Sequence, residues 1–143
     1  MPATFEASAG EASVFLHFLL TPTAGAELPA TSGAEVSEVF TGAEPLPGLA
    51  DGAYDFDLTL LEFPANYPIN DPHYRTGGAL YYVVSGSGEL TADGSAERKP
   101  AGSAVLEPSG WVHQWANPHD EVTTVVVASI SLAGGAAIVF GTP

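Results

Sequence analysis

The sequence predicts an all-β fold, a sandwich or barrel of short strands. Three observations carry that prediction. Gly 16 and Pro 12 in 143 residues are high for a helical protein and suit strands joined by turns. Alternating or β-branched runs of strand length recur with turn signals every 6–12 residues. No stretch carries a sustained 3.6-residue apolar period.

The elements follow in chain order. Residues 1–12 are small and polar and are expected to be flexible. "SVFLHFLLT" is an apolar run of strand length. The Pro- and Gly-rich stretch that follows reads as loop, with a short strand around Val36–Phe40. "AYDFDLTLLEF" alternates Tyr54, Phe56, Leu58 and Leu60 with Asp55, Asp57 and Thr59, which predicts a half-buried strand with the apolar set inward. "PANYPINDP" is an extended, Pro-punctuated loop. "HYR" and "ALYYVVSG" are strands around a "TGG" turn. "GELTADG" is a strand closed by an Asp-Gly turn, and "ADGSAERKP" reads as polar loop holding Arg98 and Lys99. "SAVLEPSGWVHQWAN" is strand, turn, strand; "EVTTVVVASISL" and "AAIVFGT" complete the set. With no repeat and no linker, residues 1–143 are expected to form one domain.

Charge excludes several classes. Asp+Glu 17 against Lys+Arg 3 gives a net charge of -14, which repels phosphate backbones and anionic membranes. Nucleic acid and membrane are therefore not expected partners, and a soluble, cytoplasmic protein is. Cys 0 removes disulfides, thiolate ligands and a cysteine nucleophile, leaving His, Asp and Glu to hold any metal.

Two stretches carry the functional signal. "GSAVLEPSGWVHQWAN", Gly102–Asn117, has the spacing G-x5-P-x-G-x2-H-x3-N. It resembles the second motif of the cupin superfamily, matched at Gly102, Pro108, Gly110, His113 and Asn117. The first cupin motif, H-x-H-x3-E-x6-G, is similar to the stretch from His73 to Gly86, with Arg75 in place of the second histidine and Ala79 in place of the glutamate. From Pro72 to Asn117 the pair spans about a third of the chain. The resemblance implies a double-stranded β-helix of jelly-roll type with a pocket in its mouth, a small-molecule ligand and a homodimer, with "SVFLHFLL" placed to pack across the interface.

In metal-binding cupins three histidines and a glutamate converge on Fe, Mn, Ni or Zn. Here His73 and His113 remain, so either no cofactor or a single divalent ion on a reduced set is implied. Asp71, Glu62 and Glu107 are the candidate substitute carboxylates. Strand parity places His73 with Arg75, and His113 with Trp111 and Trp115. Arg75 is expected either to salt-bridge an acid or to recognise an anionic or carbonyl-bearing ligand. Ala79, Tyr81, Trp111 and Trp115 would line a roomy apolar site, and Tyr67 would form part of a lid. His17 reads as a core or interface residue and His119 as a solvated loop residue.

The leading expectation is an enzyme of isomerase, cyclase, lyase or epimerase type. His73 or His113 would act as acid or base, and Arg75 would stabilise negative charge. A metal-dependent dioxygenase or lyase and a non-catalytic binding module are the alternatives.

Overall fold

The computed structural model describes residues 10, 13–20, 34–42 and 44–142. The chain divides into two compact units, Met1–Ala30 and Thr31–Pro143. Apart from Gly10, the expectation for residues 1–12 lies outside the described residues. In the first unit, residues 13–20 form no strand, and His17 is exposed rather than buried in a core. Val14, Phe15 and Leu20 are exposed there as well.

The second unit holds every strand among the described residues. They are β1 (Tyr54–Phe63), β2 (His73–Arg75), β3 (Gly78–Ser85), β4 (Ser87–Ala92), β5 (Ser95–Pro100), β6 (Ala104–Pro108), β7 (His113–Ala116), β8 (Thr123–Leu132) and β9 (Ile138–Phe140). The strand anticipated around Val36–Phe40 is absent: residues 34–42 are irregular. The supposed loop at Arg98 and Lys99 is β5, paired along its length with β4. Its side chains still find polar partners. Lys99 reaches Glu97 at 2.7 Å, and Arg98 donates to Ser87 Oγ at 3.1 Å.

Two antiparallel sheets face each other, ordered β1-β8-β3-β6 and β5-β4-β7-β2-β9. This is the layered all-β arrangement of a jelly roll. Ala79, Tyr81 and Val83 alternate inward from β3, and Val125 and Val127 from β8; Leu90 and Trp115 meet them from the opposite sheet. The turns between strands depend on glycine at two tight points. Gly86 has φ 73°, and a Cβ there would lie 2.5 Å from Val122 O; at Gly77 a Cβ would lie 2.4 Å from Ile130 O.

The β1 prediction holds for the strand and fails for its face. Leu61 and Phe63 pack against the core, which turns Asp55, Asp57 and Thr59 to the inner side with them. Phe56, Leu58 and Leu60 therefore point outward and are 58%, 61% and 64% exposed. Period-2 alternation identified the pleat, but the core is set by the last two inward residues, not by the apolar majority.

Candidate functional site

β2 and β7 put the two motif histidines directly opposite each other: His73 pairs with His113. Their rings lie 4.4 Å apart, edge to face, and both residues are buried. Each ring is held by its own backbone. His73 Nδ1 lies 2.9 Å from Asp71 O, and His113 Nδ1 lies 2.9 Å from Trp111 O. A carbonyl can only accept, so each Nδ1 carries the proton, and a neutral ring keeps its lone pair on Nε2. The carbonyls fix the tautomer and point both Nε2 atoms away from the strand.

Arg75 lies two residues beyond His73 and so on the same inner face, as parity required. A parallel bridge between Arg75 and Ser109 ties β2 to the end of β6. That link brings the guanidinium to Glu107, whose Oε2 accepts from Arg75 Nε at 3.2 Å. Arg75 also donates to the Tyr81 hydroxyl. Of the two readings of Arg75, the acidic neighbour is met within the protein. With the Glu107 side chain fully buried and that of Arg75 6% exposed, the pair cancels in charge where either ion alone would be costly.

Glu107 is the hub that sequence reasoning underweighted. Its Oε1 accepts from Trp115 Nε1 at 2.8 Å and stands 2.8 Å from His113 Nε2. The His113 contact lacks the direction of a hydrogen bond, although Nε2 is shut off from solvent. Glu107 also pairs directly across β3–β6 with Ala79. Opposed Cβ atoms lie about 5 Å apart, so the carboxylate that the first motif would carry at position 79 is supplied from the facing position on the next strand. The available signal was parity: Val105 and Glu107 share the inner side of "AVLEP".

The aromatic residues form a stack behind this cluster. Tyr81 stacks on Trp115 at 5.3 Å and 10°, and Phe63 stacks with Trp115 at 6.4 Å and 15°. Tyr67 tilts against Phe63 at 5.5 Å and is bridged through its backbone to Asn117, so it belongs to the outer wall. Trp111 stacks on His113 at 5.3 Å and donates to Asp93 in the β4–β5 turn at 3.1 Å. Asp71 and Glu62 are exposed. His119 is no freely solvated loop residue, because its Nε2 is buried without a hydrogen-bond partner among the described residues.

Electrostatics separate the titratable groups. His73 is pushed below its ordinary 6.5, first by burial, against the Asp71 carbonyl bond that favours the charged ring; His113 and Arg75 lower it further, and Glu107 opposes. Its Nε2 makes no hydrogen bond among the described residues and is an unprotonated base at neutral pH. Tyr81 is pushed well above its ordinary 10.0 by burial and by Glu107, with Arg75 acting the other way, so it remains a phenol.

A family model for the cupin domain matches residues 59–129. The chain belongs to the cupin superfamily. Among solved structures, this cupin is similar to the DMSP lyase DddQ from Ruegeria pomeroyi DSS-3, at 21% identity and a TM-score of 0.51, over 59% of this chain and 42% of that one. It is also similar to an oxalate oxidase solved with the substrate analogue glycolate, at 20% identity and 0.50, over 59% and 45%. The polyketide cyclase RemF from Streptomyces resistomycificus is 26% identical with a TM-score of 0.47, over 60% and 66%. The chain therefore spans less than two thirds of each of these proteins, and the likenesses to the lyase and the oxidase support the cupin-type jelly-roll fold. No curated protein sequence matches the chain.

A divalent ion does not fit the cupin's donor set. His73 and His113 are the imidazoles available, and a catalytic site ordinarily has at least three protein ligands. Glu107 already faces Arg75, Trp115 and His113, and the guanidinium beside it repels a dication. Among the described residues no group of three His, Asp or Glu is arranged to hold a metal. No helix among them is long and apolar enough to cross a membrane.

Proposed function

We propose that this cupin is a small-molecule enzyme that moves a proton on an organic substrate bearing a carbonyl or carboxylate. The reaction would be of isomerase, cyclase, lyase or epimerase type. The observation that carries this reading is the His73 ring, with Nδ1–H fixed on Asp71 O and a neutral, unpartnered Nε2. Such a nitrogen is a general base, and proton transfer by a positioned imidazole contributes about 10²–10⁴-fold. His113, whose ring stands 4.4 Å from that of His73 with its own Nδ1 on Trp111 O, would be the partner acid. Arg75 and the Tyr81 phenol supply donors beside developing negative charge, with Glu107 holding the guanidinium in place. Trp111 would offer an apolar face to the rest of the substrate, with the buried Tyr81–Trp115 stack behind it, and Ala79 adds no bulk. Tyr67 would line the entrance. The acidic composition suits a cytoplasmic protein.

A panel of small keto acids, β-keto esters and unsaturated carboxylates tests the proposal, first for binding by thermal shift and then for turnover by NMR. His73→Gln, Arg75→Met and His113→Gln are each expected to lower turnover of the converted compound at least 100-fold. Full activity in all three variants would end the reading. A ligand that binds and is recovered unchanged would make the protein a binding module. Stoichiometric Fe, Mn, Ni or Zn in protein purified without an affinity tag, with activity lost on chelation, would replace acid–base chemistry by a metal-assisted reaction.

A further inference from the structure

The proton-transfer reading leaves unused a row of polar side chains on the inner face of the β1-β8-β3-β6 sheet. Register runs the row straight across the strands: Glu107 faces Ala79, Ala79 faces Ser129, and Ser129 faces Asp57. Two residues along β8, on the same face, Ser131 pairs with Asp55. Ser129 and Ser131 are 6% and 3% exposed. Neither hydroxyl makes a hydrogen bond among the described residues, yet neither is sealed from solvent as His113 Nε2 is. Buried hydroxyls ordinarily have partners, so two without one point to a ligand. Asp55 accepts from Gly134 N at 3.1 Å, whereas Asp57 is exposed and accepts no bond among the described residues. The β9 edge of the opposite sheet is open as well. Phe140 pairs with His73, so it lies on the inner face, with its ring 5.7 Å from the imidazole. It is nevertheless 68% exposed, which places a mouth beside the base.

We infer that Ser129, Ser131 and Asp57 form a subsite for the hydroxyl groups of an uncharged chain, so that the substrate is a polyhydroxylated carbonyl compound. The inference rests on the proton-transfer reading for the carbonyl end; the row holds the other end. Charge and hydrogen-bonding capacity exclude the alternatives. A phosphate or second carboxylate would meet Asp57 with no cation to offset it. The chain's basic residues are Arg75, engaged by Glu107, and Arg98 and Lys99 on β5. An ammonium only donates and would leave both serine protons without an acceptor. A hydroxyl donates and accepts, and so suits serine and carboxylate alike. Reach agrees. Glu107 to Ser129 is two strand spacings, roughly 10 Å, which about five or six carbons ending in a hydrogen bond can cover. Ala79, between them, leaves room for that chain.

The test compares xylulose and ribulose with their terminal phosphate esters, with pentanone and with a terminal aminopentanone. Binding to the full chain is read by calorimetry, and α-proton exchange in D2O by NMR. At least one of the two ketoses is expected to bind about 10-fold or more tighter than pentanone, its own phosphate ester and the amino ketone. Ser129→Ala and Asp57→Ala are each expected to cut the preference over pentanone about 5-fold, through KM more than kcat. Failure of both ketoses to bind, tighter binding of a phosphate ester or the amino ketone, or an unaltered preference in both variants overturns the inference. His73→Gln separates it from the reading beneath it. Exchange that His73→Gln abolishes, with no preference for a ketose, removes the subsite alone. A preference that both subsite variants weaken, without exchange of any compound, keeps the subsite and removes the proton transfer.

Discussion

In the proposed site, His73 is the base and Glu107 the group that holds Arg75 in place. Because burial pushes His73 below 6.5, the folded chain binds its proton less readily than the unfolded chain does. The stability it permits is complete above pH 6.5 and is lost as pH falls through the lower folded value. Urea midpoints measured from pH 8 to pH 5 should fall at the acid end, and His73→Gln should flatten that part of the curve. Glu107→Gln leaves Arg75 buried without its counter-charge and is expected to cost about 3–5 kcal/mol in urea denaturation. The double variant Glu107→Gln/Arg75→Met should recover a measurable part of that loss, since neither ion is then buried alone. The shared inner placement of His73, Arg75 and His113 was legible in the sequence because motif spacing and parity predict it. The role of Glu107 was not, because it depends on which strand lies beside Ala79, a pairing that spacing along one strand does not encode.

At the level of elements, the turns set the register and the register sets the site. Gly86 closes the β3–β4 connection with φ 73° against Val122 O. Gly86→Ala is expected to destabilise the fold by about 2 kcal/mol or more, from left-handed strain and a backbone collision together, read from the denaturation midpoint. Strands β2 to β4 and β6 to β9 were legible because each has β-branched or aromatic residues between turn signals. β5 was not, since "SAERKP" has the polarity of a loop; it is a strand because it pairs along β4, and its charges lie on an edge. The opposite error occurred at "SVFLHFLL", where apolar composition alone predicted a strand that residues 13–20 do not form. The inverted face of β1 has the same origin. Alternation gives two sides, and only packing says which of them is inside.

For the whole molecule, net charge opposes compaction. With -14 on 143 residues, self-repulsion is screened by salt. Raising sodium chloride from about 0.01 to 0.5 M, which shortens the screening length from about 30 to about 4 Å, should raise the melting temperature; no change would mean the acids are already compensated. The jelly roll was legible as a whole from two motifs, because their glycines, proline and histidines mark turns and strand starts common to that architecture. What those motifs do chemically depends on the two departures, Arg75 and Ala79, and on the carboxylate that faces them. The most direct measurement is exchange of α-protons in D2O for a panel of small carbonyl compounds, followed by NMR with wild type and His73→Gln across pH 5–8. The account predicts that wild type accelerates exchange of at least one bound compound. The acid limb should lie below pH 6.5, and His73→Gln should lower the rate about 100-fold or more and remove that limb. Exchange by His73→Gln at the wild-type rate, or none with any compound that binds, would contradict it.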